Sequence, residues 1–262
     1  MINVIIPAYN CSATLGRALA SLVAQTDQRF EVIVVDDCSN EDITPIINDY
    51  ANKLHILYFR NDHNIGCGMS RQVGIDNATQ KFITFLDSDD VFMPYTVETF
   101  NSVIEANPNT EYLHSHFYKQ ALINGDPSLL LVSDGYTWCH GKLYNLDMIK
   151  KYNIRNSPSV RWADDSYFNS MCSELLQMSI IRIPTVLWID NKNSVTRKPD
   201  EIRDKEKKKD FINAMIMSAK FVLQHKDSVT HLADTIDKIT RTFSLDEEEI
   251  EKINQLLKYT WR

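Results

Sequence analysis

The chain has 262 residues, of which 44% are hydrophobic and 24% charged, and a formal net charge of −7. This length and apolar content suffice for one compact unit with a sizeable core and exclude a disordered or fibrous chain. The negative balance weighs against a protein that works by broad attraction to a nucleic-acid backbone.

Val4–Pro7, Glu31–Val35, His55–Phe59 and Lys81–Leu86 are short apolar or β-branched runs of strand length. Between them, Ser12–Gln25 carries Leu15, Leu19, Leu22 and Val23 along one helical face, and Glu41–Tyr50 and Met69–Ala78 are helix-compatible. Strand and helix in alternation imply a parallel sheet covered on both faces. Beyond Pro94 the pattern loosens. Glu111–Lys119 reads as a strand, Leu129–Trp138 has room for another, and helices are expected near Leu146–Tyr152 and Ser166–Leu176. A charged run, Lys198–Asp210, then opens a helical segment. Its last helix has Ser244 and Glu247 at capping-box spacing and Ile250, Ile253 and Leu257 on one face. The expected division is therefore 1–197, with halves 1–95 and 96–197, followed by a helical extension over 198–262.

Ligands of such sheets bind beyond the carboxyl ends of the strands. Polar residues gather there: Pro7-Ala8-Tyr9-Asn10, Asp36-Asp37-Cys38-Ser39 and Asp87-Ser88-Asp89-Asp90. The last three carboxylates repel one another unless a cation or well-placed donors offset the cost. Their hard oxygens suit Mg²⁺ or Mn²⁺ bridging to phosphate. A solvated acidic turn before the helix after Pro94 is the plain alternative, and the level placement of a second acidic pair weighs against it. Asp37 can accept from the N–H of a base; an Asp capping the next helix would look the same, although Ser39 or Asn40 could cap as well.

Taken as an ordered set, Pro7-Ala8-Tyr9-Asn10, Val34-Val35-Asp36-Asp37-Cys38-Ser39, Asn64-Ile65-Gly66 and Phe85-Leu86-Asp87-Ser88-Asp89-Asp90 with Pro94 resemble the family 2 glycosyltransferases. The resemblance implies a GT-A fold: α/β, Rossmann-like, with a mostly parallel central sheet flanked by helices and here a helical C-terminal extension. It also implies metal-dependent, inverting transfer of a sugar from a nucleotide-sugar donor, UDP-sugars first, to an acceptor hydroxyl. Surface polysaccharide or glycolipid is the first expectation for the acceptor, with a hydroxylated nucleobase in DNA or a protein as alternatives. On this likeness 1–95 is the donor half and 96–197 the acceptor half.

Residue by residue, the resemblance puts Pro7, Ala8 and Tyr9 in the nucleotide pocket and Asp37 on the base. Arg71 would lie near the donor, where its plain alternative is a surface helix residue. Asp87-Ser88-Asp89 corresponds to the DXD motif, with Asp87 toward ribose or metal, Asp89 on the Mn²⁺ or Mg²⁺, and Asp90 an adjacent candidate. Trp162-Ala163-Asp164-Asp165-Ser166 resembles the family's acidic "ED" motif, with Asp164 where Glu is commoner. Asp165 is favoured as the base that takes the acceptor proton, with Asp164 the alternative. Both could instead open a helix, Asp164 as its cap and Asp165 in its first turn. His140-Gly141-Lys142 reads as a polar loop within reach of acceptor or diphosphate, and Trp188–Arg197 as a loop that could bring Arg197 over the donor.

Other classes fit less well. Asp87-Ser88-Asp89-Asp90-Val91 also reads as the DxDxV of haloacid-dehalogenase phosphoryl transfer, but three strands precede it here. No G-x-G-x-x-G turn follows the first strand, which argues against a dinucleotide enzyme. A catalytically silent nucleotide-sugar-binding module on the same fold remains a rival. The five scattered cysteines favour a reducing compartment over a zinc site or disulfide framework. The start reads as a strand, and Phe211–Leu223 is too short to span a bilayer, so no transmembrane segment is expected. A cytoplasmic protein, at most peripheral at the inner membrane face, is the expectation. The C-terminal helices are expected to pack on the core, with a homodimer as the alternative use.

Overall fold

The computed structural model describes residues 1–123, 126–135, 137–190, 201–225, 237 and 247–258. In its first part β1 (Ile2–Ala8), α1 (Ser12–Val23), β2 (Phe30–Asp36), α2 (Thr44–Tyr50), β3 (Ile56–Arg60), α3 (Cys67–Asn77) and β4 (Phe82–Phe85) alternate along the chain. β1 pairs in parallel with both β2 and β4 and is buried over its whole length. Such a strand has no solvent face, which is why Ile2, Val4, Ile5 and Ile6 run almost without interruption. Ile2, Val4 and Ile6 meet Leu15, Leu19 and Leu22 of α1 on one side, and Ile5 meets Ile75 of α3 on the other.

The second part contributes β5 (Val91–Phe92), α4 (Thr96–Ala106), β6 (Tyr112–Ile123), β7 (Asp126–Val132), β8 (Lys142–Asn145), α5 (Leu146–Lys151), α6 (Asp164–Leu175) and β9 (Met178–Trp188). The sheet runs β3-β2-β1-β4-β8-β6-β9-β5, with β7 paired to β6. β3, β2, β1 and β4 are parallel, as are β6 and β9, whereas β4–β8, β8–β6, β6–β7 and β9–β5 are antiparallel. The sheet is thus mixed, and the mostly parallel arrangement holds only for its first half. Connection length explains one of these pairings. A parallel return needs a crossover of about a dozen residues, and β6 is joined to its partner β7 through two residues. Pro184 sits within β9 where its register against β6 shifts near His116, so its missing N–H falls at an irregularity.

α7 (Glu201–His225) packs against α6. Its Ala214 and Val222 share a buried cluster with Phe168 and Met171, and its Ile212, Met215 and Ala219 meet Ile253 of α8 (Glu247–Lys258). Ser244 and Arg197 lie outside the described residues. Among the described residues no helix is long and apolar enough to cross a membrane. All five cysteines are free thiols.

Candidate active site

The ends of β1 and β2 are tied together before any ligand is considered. The Asp37 N–H donates to the Ala8 carbonyl at 2.7 Å, the Asn10 N–H to Ser39 Oγ at 2.9 Å, and the Asn40 N–H to Asn10 Oδ1 at 2.8 Å. Asn10 and Cys38 take left-handed backbone (φ 47° and 60°), turning the chain sharply at both strand ends. The adjacent acids then diverge. Asp36 is fully buried, accepts from the Ser39 N–H (2.9 Å) and the Tyr58 hydroxyl (3.0 Å), and pairs with Arg60. Asp37 lines a cleft of about 1040 Å³. Its Oδ1 accepts from Asn61 Nδ2 (2.9 Å) and the Ile65 N–H (2.8 Å), and its Oδ2 from the Gly66 N–H (2.8 Å). These bonds hold the Asn64-Ile65-Gly66 turn, where glycine permits φ 90° and α3 can begin. Oδ2 is the less engaged oxygen. Pro7, Ala8 and Tyr9 line the same end of the cleft, Tyr9 with 41% of its surface exposed.

Arg71 is no surface residue. Its side chain is 4% exposed, and it gathers three acids from two distant segments: Asp87 Oδ1 at 2.7 Å, Asp164 Oδ2 at 2.5 Å and Asp165 Oδ1 at 2.6 Å. The approach of α3 to α6 depends on Gly68, where an added Cβ would lie 2.6 Å from the Asp164 Cβ. One guanidinium cannot neutralise three carboxylates. Burial, helped by the charges of Asp165 and Asp87, pushes the Asp164 carboxyl up to about 7 against the pull of Arg71. Burial also opposes ionisation of Asp87, but Arg71 and His140 overcome it and its pKa falls. Asp165 is the more open of the helix-opening pair, with 26% of its side chain exposed against 11% for Asp164, and its Oδ2 accepts from the Cys139 N–H at 3.2 Å. Both acids lie in the first turn of α6, whose cap is Ala163. Asp164 therefore does not cap the helix; Arg71 holds its carboxylate instead.

Asp87 also joins a second group. His140 Nε2 lies 2.8 Å from Asp90 Oδ2 and 3.8 Å from Asp87 Oδ2. The three offer ligand atoms within 4.8 Å of one another, a candidate metal-coordinating cluster. Asp90 is 1% exposed, and its other oxygen accepts from the Ile189 N–H at 2.8 Å. Burial and the nearby Asp87 raise its pKa despite the hydrogen bond to His140. Burial disfavours charge on His140, but the hydrogen bond to Asp90 and the charges of Asp90 and Asp87 outweigh it and raise its pKa. Two carboxylates and an imidazole fit a first-row divalent ion such as Mn²⁺ better than Mg²⁺, which favours oxygen alone. Ser88 and Asp89 line the cleft beside this group. Asp89 is not one of its members; its backbone carbonyl accepts from Arg17 at 2.6 Å. In the His140-Gly141-Lys142 segment only His140 reaches the site. Lys142 is fully buried in β8, where its Nζ donates to His114 Nδ1 and the Gly135 carbonyl.

Two walls of the cleft carry no DXD-like signal in the sequence. Trp138 and Trp188 meet edge to face with ring centroids 5.3 Å apart, His140 lies 5.5 Å from Trp188, and Lys119 Nζ is 4.3 Å from the Trp188 ring. Asp204, Lys207, Lys208 and Phe211 also line it, from one face of α7. The dense polar-aromatic string at Trp138-Cys139-His140 was the available hint of the first wall; α7 offered only a charged run.

A Rossmann-like half-sheet ending in two acidic turns, joined to a mixed half that supplies the opposing acids, is the architecture of the GT-A glycosyltransferases. The chain belongs to glycosyl transferase family 2, whose profile matches residues 3–158, more than half of its length. It is similar to an uncharacterized glycosyltransferase of Haemophilus influenzae, 38% identical over 124 residues, which are 47% of this chain and 41% of that protein. The poly(ribitol-phosphate) beta-N-acetylglucosaminyltransferase TarS of Staphylococcus aureus is 29% identical over 182 residues, 63% of this chain and 31% of that protein. The chain thus spans less than half the length of these curated relatives. Crystalline S. aureus TarS 1-349 with UDP-GlcNAc superposes with a TM-score of 0.77 at 22% identity, covering 99% of this chain and 80% of that one. The mannosyltransferase PcManGT of Pyrobaculum calidifontis, with GDP-Man and Mn²⁺, gives 0.58 at 15% identity, covering 99% and 69%. Both structural likenesses concern the fold.

Proposed function

We propose that the protein transfers a sugar from a nucleotide-sugar, a UDP-sugar first, to a carbohydrate hydroxyl in surface polysaccharide or glycolipid synthesis. One observation carries the reading: Arg71 draws Asp87, from the end of β4, and Asp164 and Asp165, from the start of α6, into one cluster in a cleft that Tyr9 and Asp37 also line. The names of the TarS relatives supply the preference for UDP and for a polymeric acceptor. The Trp138–Trp188 wall suits the apolar face of a sugar ring.

In this reading Tyr9, Pro7 and Ala8 pack around the nucleoside, and Asp37 Oδ2 accepts from the base. Asp165 faces the cleft and takes the proton of the acceptor hydroxyl. The acceptor oxygen bonds to the anomeric carbon as the bond to the diphosphate oxygen breaks, inverting the configuration and releasing the nucleoside diphosphate. Asp164, the less exposed of the pair and bonded to Arg71, steadies the guanidinium, while the more open Asp165 has the better access to the acceptor. Asp87, Asp90 and His140 would hold a divalent ion, which supplies positive charge at the leaving diphosphate when bound. Asp89, expected from the DXD pattern to be a ligand, then serves from the neighbouring rim.

The division at 197/198 belongs to the same proposal, although α7 and α6 share one buried cluster and should unfold together. A thermal-shift screen of UDP-, GDP- and dTDP-sugars with Mn²⁺ tests the donor. UDP-sugars should raise the Tm by several degrees, more with Mn²⁺ than with EDTA. No shift with any nucleotide-sugar would end the donor assignment.

A further inference from the structure

α6, which opens with the two acids, has no side-chain cap of its own. Its N-cap is Ala163, and the N–H groups entering a helix need acceptors from elsewhere. α7 provides one. The carboxylate of Asp210 accepts from the Trp162 N–H at 2.6 Å and the Ala163 N–H at 2.9 Å, and the Arg161 N–H lies 3.1 Å from both of its oxygens. Three consecutive backbone donors converge on one side chain that comes 47 residues later in the chain. The two residues after Ala163 are Asp164 and Asp165.

We propose that Asp210 is a positioning residue that sets the entry to α6, and through it the placement of Asp165 in the cleft and of Asp164 on Arg71. The inference rests on the reading of Asp165 as base. A carboxylate is the right chemistry for the task. It has only acceptor oxygens, so all three N–H groups can point at it, and its charge complements the positive end of α6. Asparagine would turn an amide donor toward the same N–H groups. A neighbouring contact lies beside this cap: Lys207 Nζ is 5.7 Å from the Trp162 ring. The charged run Lys198–Asp210 thus contains an acid with a specific partner. α7 is then part of the catalytic apparatus as well as a cover on the core.

The test compares Asp210→Asn and Asp210→Glu with Met215→Ala, which weakens the packing of α7 without touching the cap. The assay is release of UDP from UDP-N-acetylglucosamine with Mn²⁺, accompanied by hydrogen exchange of the 161–168 amides. A misplacement of about 1 Å can cost ~100-fold in rate. Asp210→Asn should therefore lower kcat by roughly 10- to 100-fold while the donor KM changes less than about twofold, and exchange at 161–168 should quicken. Asp210→Glu should recover much of the rate. Met215→Ala should lose a similar amount of thermal stability but keep its kcat. A kcat within about twofold of wild type in Asp210→Asn, or an equal loss in Met215→Ala, would overturn the proposal. Absence of any quickened exchange in Asp210→Asn would overturn it even if this donor proved unproductive. Asp165→Asn in the same assay separates the two readings. If it remains active, the base assignment fails; if it is inactive while Asp210→Asn is normal, only the positioning role fails.

Discussion

The two ends of the cleft are held together in different ways. At the nucleotide end, Asp36 and Asp37 bond to backbone N–H groups and near neighbours, and the turns of β1 and β2 bond to each other. At the transfer end, Arg71, Asp87, Asp164, Asp165, Asp90 and His140 bond side chain to side chain, with partners up to 94 residues apart. In the first kind of site each turn is held by a side-chain oxygen that accepts from backbone N–H groups, so a lost side chain loosens the turn it holds. The second is a balance of buried charges, in which losing one partner leaves the rest uncompensated. Single substitutions should therefore spread through the whole cluster at the transfer end and stay within one turn at the nucleotide end.

Arg71→Met should have the largest effect. Removing one partner from a buried charge cluster costs about 3–5 kcal/mol, equivalent to a fall in Tm of roughly 10 °C at this size. The deficit should shrink toward pH 5 as the orphaned carboxyls take up protons, and scanning calorimetry at pH 5 and pH 8 reads both effects. An Arg71→Met protein as stable as wild type at pH 8 would erase the contrast between the ends. His140→Ala should come next, abolishing the Mn²⁺-dependent part of donor binding in calorimetric titrations while leaving the metal-free part in place. Gly68→Ala should push α6 from α3, since the new Cβ would meet that of Asp164 at 2.6 Å. A loss of about 1–3 kcal/mol is expected on chemical denaturation, with at least a tenfold loss of turnover.

The last expected effect is one of pH. Asp164 rises from its ordinary 3.8 to about 7 in the folded chain. Between those values the folded state holds a proton that the unfolded state releases. This group's stabilisation is thus complete below about pH 4 and is lost as pH rises through about 7. Asp164→Asn should flatten the pH dependence of Tm between pH 5 and 8, and an unchanged slope would place the shifted proton elsewhere.

The same contrast explains what could be read from the sequence. The four parallel strands are local signals, short β-branched runs each followed by polar turns, and the structure has them at Ile2–Ala8, Phe30–Asp36, Ile56–Arg60 and Phe82–Phe85. β5 has two residues, β8 contains a buried lysine, and β9 is interrupted by Pro184, so none carries a clean period of two. Arg71 and Asp165 were legible as residues, but their meeting was not, because it depends on α3 and α6 packing through Gly68. Asp90 and His140 are 50 residues apart in sequence, and only the return of β8 beside β4 brings them together. The cap of α6 was sought in Asp164 because caps are usually local, whereas the acceptor comes from α7.

Asp165→Asn tests the central claim most directly. The substitution keeps the shape of the side chain and removes its capacity to take a proton. Donor affinity, measured by titration calorimetry with Mn²⁺, should stay within about threefold, while transfer or UDP release falls by 10²-fold or more. Near-normal turnover in Asp165→Asn would contradict the assignment of the base and with it the proposed chemistry of the cleft.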